Sequence, residues 1–278
     1  MWPELGFHGR VFIETGVLGG LSAFLGPHVL DRRLSHLTHA VGHAMFPGIA
    51  LAAALGLDLV LGGFAAGLAM VAVLAVLTRR RPRRVTAVTG VLVAAGFALG
   101  MVLTSAFLAN TARNLETFLV GQIVNVTTAD LVLGAAMLAA TAVITVVLHG
   151  RLVFSAFDPD GYEAAGHRRT LVSAVALVLV TANTAVVASQ VGAVLAVAVL
   201  VAAPTAARAL VRGPVAVIAV SWLVGTGAGA AGAAVSENVN VPTGPAIAIA
   251  LGLVTAAAAA LSWARSRPTG RKRAPAAG

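Results

Sequence analysis

Cysteine is absent from the 278-residue chain, lysine occurs once, at Lys272, and aromatic residues make up only 5%. Without thiols there is no disulfide, no thiolate zinc site and no cysteine nucleophile. Charge is scarce as well. Asp, Glu, Lys and Arg together reach 10% and hydrophobic residues 59%, whereas soluble domains carry about 25% charged residues. That composition belongs to an integral membrane protein. No Gly-x-x-x-x-Gly-Lys-Ser/Thr loop occurs, so the chain has no nucleotide-hydrolysing motif of its own. A His-Glu-x-x-His helix and a usable Ser-His-Asp arrangement are missing too, which leaves a transport role ahead of an enzymatic one. The net charge of +9 could suggest nucleic acid. Its placement in short clusters between apolar runs fits orientation signals instead.

At about 20 residues per span, the apolar pattern predicts an all-α, polytopic membrane protein of about nine transmembrane helices. They are expected at 11–30, 38–57, 59–78, 85–109, 131–149, 170–188, 191–207, 214–235 and 246–263. Residues 1–10 lack the basic start of a cleavable signal, so the first apolar run is expected to remain as a span. Residues 110–130 are less apolar and predict a loop with a short, partly re-entrant helix. Residues 150–169 form the longest soluble stretch. The transmembrane body is expected over 1–264, with a disordered basic cytoplasmic tail at 265–278. Arg32-Arg33, Arg79 to Arg84, Arg151 with Arg168-Arg169, Arg208 with Arg212, and the tail all fall on one side of a nine-span chain. That places the N-terminus outside and the C-terminus in the cytoplasm.

Three of the seven histidines, His36, His39 and His43, fall within eight positions. At about 100° per helical residue they share one narrow face, and Pro47 continues the stripe. Proline lacks an N–H and frees a carbonyl one turn earlier, so a kink is expected there. A lone histidine beside headgroup water would be unremarkable. Three in register within a membrane chain point to a place where a metal ion can pause. The second informative stretch is Phe157-Asp158-Pro159-Asp160-Gly161-Tyr162-Glu163-Ala164-Ala165-Gly166. Asp158 reads as an N-cap with Pro159 at N1, Asp160 and Glu163 suit the start of the helix dipole, and Gly166 ends it. A helix this short needs a partner surface.

Four ordered motifs resemble one family. Gly42-His43-Ala44-Met45-Phe46-Pro47-Gly48-Ile49-Ala50 resembles the Ser-His-Ala-Val-Leu-Pro-Gly-Val-Ala pattern of the zinc/manganese/iron permeases of ABC importers. Phe157-Asp158-Pro159-Asp160 through Gly166 is similar to that family's coupling segment. Gln190-Val191-Gly192 through Pro204-Thr205-Ala206-Ala207-Arg208 resembles its seventh-span pattern, and Val241-Pro242-Thr243-Gly244-Pro245-Ala246 its motif before the last span. The resemblance covers nearly the whole chain. It implies a homodimeric transmembrane subunit in a bacterial plasma membrane, with no permanently bound cofactor. A separate ABC ATPase dimer would dock on residues 157–166, including Phe157, Asp158, Pro159, Asp160, Glu163, Ala164, Ala165 and Gly166. An extracytoplasmic metal-binding protein would deliver the ion.

One departure bears on the cargo. The family commonly has aspartate where this chain has His39. Exchanging oxygen for imidazole shifts preference towards zinc and away from manganese, so transported Zn2+ is expected ahead of Mn2+ or Fe2+. It also removes charge that would compensate the ion, a part that Glu14 or Glu237 could take; His28 has no assigned role. An ion-coupled secondary transporter is the alternative, disfavoured by the near absence of mid-span acids. A siderophore or cobalamin permease would call for a wider, more aromatic cavity.

Overall fold

The computed structural model describes residues 7–78, 85–107, 127–239 and 241–266. Among them every regular element is helical. In chain order these are α1 (Phe7–Asp31), α2 (Ser35–Ala44), α3 (Phe46–Leu55), α4 (Leu59–Thr78), α5 (Val85–Phe107), α6 (Thr128–Val147), α7 (His149–Phe157), α8 (Pro159–Ala164), α9 (Arg169–Val191), α10 (Ala193–Leu210), α11 (Pro214–Val239) and α12 (Thr243–Ser266). Taking Ser35–Leu55 as one passage, seven described helices are long and apolar enough to cross a membrane. With α1, whose Arg10, Glu14, His28 and Asp31 dilute its hydropathy, and the shorter apolar helix Leu195–Leu210, the described residues make about nine passages, as expected. Helices are the natural solution, because lipid offers no partner to an open N–H or C=O.

The packing has two centres joined by α9. In the first, α1 is surrounded by α11, α10 and α6. Its core gathers Leu18, Leu21, Leu131, Val187, Leu195, Val199 and Leu251. In the second, α2 and α3 pack on α4 and α5 around Val41, Met45, Phe46, Ile49 and Met70. The α9 helix touches α4, α2, α10 and α6. Asn183 of α9 donates from Nδ2 to Thr141 Oγ1 of α6 at 3.0 Å and to its own Leu179 carbonyl at 2.8 Å. Such inter-helix polar bonds add to association where water is absent. Large apolar side chains such as Val76, Val147, Leu223, Ile249 and Leu253 stay exposed, which suits a lipid-facing surface.

Small residues set the distance between α1 and α11. A Cβ on Gly225 would lie 2.7 Å from Gly19 Cα, and one on Gly229 would lie 2.8 Å from Thr15 Cβ. Further along α11, a Cβ on Gly232 would lie 2.5 Å from Ile247 Cα of α12. The backbones therefore touch, and dispersion replaces the hydrophobic effect as the source of cohesion.

Several boundaries differ from the sequence expectation, each with a physical reason. The histidine helix starts at Ser35, three residues before the expected 38, so His36 belongs to it. Its break falls at Met45, not at Pro47-Gly48, because Pro47 sits within the first two positions of the next helix, where a missing N–H costs least. The α9–α10 reversal falls at Gly192, with φ 93° and ψ 151°, after the expected Ser189-Gln190. A positive φ is tolerated there because glycine has no Cβ. The soluble stretch expected at 150–169 opens with a helix, α7, over His149–Phe157. The predicted loop at 110–130 lies almost wholly outside the described residues, as do Arg79 to Arg84. Helix α12 continues to Ser266, and 267–278 are outside them too.

These contacts generate a paired test. Gly225→Val should split α1 from α11 and lower the thermal stability of the detergent-solubilised protein. Gly227, on the same helix with nothing within 4 Å of an added Cβ, should accept alanine. A gain there of up to about 0.8–1.0 kcal/mol is expected from helix propensity. Equal melting behaviour of the two variants would contradict the packing.

Candidate metal path and coupling segment

The histidine stripe lies on α2, which packs against α5, α10, α9 and α4. His39 and His43, one turn apart, meet edge to face with ring centroids 4.7 Å apart and planes at 79°. His43 is half-buried and its ring also meets Phe97 of α5 at 6.1 Å. Phe97 in turn stacks on Phe46 at 5.6 Å. That aromatic contact, invisible in the α2 sequence, fixes the His43 ring beside the kink. Two imidazoles bound to one tetrahedral ion at about 2.0–2.1 Å hold their ring centroids about 5 Å apart, so the pair has usable spacing. His36 and His39 are exposed.

Among the described residues, no group of three or more His, Cys, Asp or Glu is placed to hold a metal ion. The structure thus brings His39 and His43 together and leaves His36, Glu14 and Glu237 outside any such set. Glu14 lies on α1, fully buried, and neither carboxylate oxygen has a hydrogen-bond partner. Its charged neighbour is Asp130 at the start of α6. Glu237 is exposed in the last turns of α11.

The second candidate site is the segment 149–169. Asp158 caps α8 as expected, accepting from Gly161 N at 2.9 Å, with Pro159 at the helix start. Gly166 ends it at φ 80°. Glu163, Ala164, Ala165 and Gly166 are exposed, and Phe157 is 73% exposed. The partner surface the short helix needs comes from Tyr162, the only tyrosine, which is 2% exposed and packs with Leu152, Val172 and Ala176. Its ring also meets Phe154 at 5.4 Å and His167 at 4.9 Å. Its signal in the sequence is an aromatic ring set between the acids Asp160 and Glu163 of a polar stretch.

A latch ties this segment to the spans. Arg32, just past α1, donates to Ser155 Oγ at 2.6 Å and to the Leu152 carbonyl at 3.2 Å, both in α7, and to Ser173 Oγ of α9 at 3.5 Å. Burial, and then the Arg169 charge, hold its pKa below the ordinary arginine value. Next to it, Asp31 pairs with Arg208 of α10 at 2.7 Å, and Arg208 also donates to the Pro27 carbonyl at 3.1 Å. Arg33 carries φ 55° in the tight link to α2. Arg32, Arg169, Arg208 and Arg212 therefore gather at one end of the bundle.

Removing the anchor should loosen the segment alone. Tyr162→Ala is expected to cost on the order of 3 kcal/mol locally. Trypsin should then cleave at Arg168 or Arg169 faster than in the unaltered protein, with the membrane spans still inserted. Unchanged cleavage would mean that α8 is held by something else.

Residues 5–262 match the ABC 3 transport family. The chain is 30% identical to the manganese transport system membrane protein MntD of Bacillus subtilis over 231 residues, covering 77% of this chain and 78% of that one. It is 27% identical to a probable iron transport system membrane protein of Haemophilus influenzae, covering 69% and 67%. Across similar curated proteins the chain spans between 58% and 81% of their length. Its fold follows that of PsaBC from Streptococcus pneumoniae, solved in complex with Fab, with a TM-score of 0.83, 23% identity, and coverage of 92% of this chain and 91% of that one. The chain belongs to the ABC 3 transport family, the metal-ion ABC importer permeases that its motifs resemble.

Proposed function

We propose that this chain is the membrane-spanning permease subunit of an ABC importer for a divalent metal, with zinc as the preferred cargo. It works as a homodimer in a bacterial cytoplasmic membrane, N-terminus outside and C-terminus in the cytoplasm. A metal-binding protein hands over the ion, and an ATPase dimer drives passage by docking on residues 157–166. The observation that carries this reading is the His39–His43 pair, 4.7 Å apart beside the kink at Met45. A pair of neutral imidazoles shared with ligands from elsewhere holds an ion weakly enough to release it, which transport requires. Orientation rests on the basic residues gathered at one end. The relatives named for manganese and iron support the metal class. They also support a second reading, manganese, against which His39 in the usual aspartate position argues through ligand softness.

Uptake of radiolabelled zinc and manganese, in a strain lacking its own importers, tests the proposal. His43→Ala should abolish zinc uptake, His39→Ala should reduce it severely, and His36→Ala should have a smaller effect. His39→Asp should keep transport and widen it towards manganese. Glu163→Arg combined with Gly166→Pro should uncouple ATP hydrolysis without blocking insertion. Wild-type zinc uptake by both His39→Ala and His43→Ala, at equal expression, would make these histidines structural. Manganese uptake exceeding zinc in the unaltered protein would decide for the second reading.

A further inference from the structure

We propose that His28 and His149 form a second transition-metal site, through which cation accumulating on the release side restrains the coupling segment. The choice of occupant rests on the importer reading above; the imidazole pair does not. His28 stands in the last turn of α1, 6% exposed. His149 is the first residue of α7, the helix that leads directly into α8. Their rings meet at 5.5 Å between centroids with planes at 67°. That spacing is close to the roughly 5 Å of two imidazoles on one tetrahedral ion with bonds of about 2.0–2.1 Å.

The surroundings suit a weak, exchangeable site. Both rings line one cavity of about 510 Å3, together with Asp31, Phe157, Arg208 and Arg212. Asp31 offers a carboxylate beside the rings, already engaged by Arg208 at 2.7 Å, so that arginine's charge is largely offset. Arg32, whose charge acts on His28, and the exposed Arg212 remain and oppose a cation. Two protein ligands with water in the other positions form an open site, unlike the four-ligand sets of structural zinc. Affinity is therefore low, and the site fills only when free cation is plentiful.

Occupancy has a direct mechanical consequence. An ion held by both rings fastens the start of α7 to the end of α1, next to the Arg32 bonds that already join them. The segment that an ATPase must move is then pinned in one position. Histidines of α2 take no part, so cargo passage and restraint use different ligands. A transporter built this way slows as its own product accumulates.

Two measurements test this. Copper(II) bound to purified permease carrying His39→Ala and His43→Ala should give an electron paramagnetic resonance spectrum with two nitrogen ligands. Adding His149→Ala should remove that signal. In liposomes holding the permease with its ATPase, zinc on the nucleotide side should inhibit binding-protein-stimulated ATP hydrolysis. His28→Gln and His149→Ala should each relieve the inhibition, read for each protein as the ratio of its hydrolysis rates with and without zinc at constant magnesium. Equal inhibition of all three proteins, or loss of the copper signal only with the α2 histidines, would overturn the proposal. Absence of both zinc and manganese uptake alongside an intact His149-dependent copper signal would overturn the importer reading and leave this site standing.

Discussion

Direct backbone contact between α1 and α11 is the constraint on which the first half of the bundle depends. Gly19 and Gly225 face each other so closely that neither can carry a side chain. The contact fixes α1 along its length, and α10 and α6 then pack on its remaining faces. Trp222 Nε1 donates to the Gly16 carbonyl at 3.0 Å and Ser22 Oγ bonds to the Val199 carbonyl, so α1 is keyed to both neighbours by backbone acceptors. In lipid such bonds have no water to compete with them. A helix held this firmly gives its end, at Asp31 and Arg32, a defined position relative to the rest.

Much of the fold was legible because the membrane imposes a simple rule on sequence. Apolar runs of the right length gave α4 at 59–78 to the residue, and α5, α6, α11 and α12 to within a few residues. The Asp158 cap, Pro159 at the helix start and the terminal Gly166 were readable because capping chemistry is local. The histidine stripe was readable for the same reason, since all three residues lie on one helix.

What could not be read involves partners distant in sequence. Hydropathy alone treats 150–169 as one soluble stretch, yet Leu152 and Ser155 are buried in α7 because Arg32 and Val172 arrive from α1 and α9. The break at Met45 displaced the expected one because proline acts on the turn before it, and the helix restarts around Pro47. Glu14 gave the least warning. As a sequence letter it could have served the histidine stripe. In the fold it belongs to α1, whose main partners are α11, α10 and α6, whereas α2 packs chiefly on α5, α10 and α9.

Arg32 shows why the end of α1 matters beyond stability. Its planar, multi-donor guanidinium reaches a carbonyl and a hydroxyl of α7 and a hydroxyl of α9 at once. An ammonium, as a single point charge on a flexible stem, presents no such fork. The adjacent Asp31 engages Arg208 of α10. Two neighbouring residues therefore connect α1 with α7, α9 and α10, while Tyr162 packs α8 on Leu152 and Val172. Displacing α8 loads Leu152, then Arg32, then the glycine-tight α1. Because α1 and α11 meet backbone to backbone at Gly19 and Gly225, the end of α1 that carries Asp31 and Arg32 is held to α11.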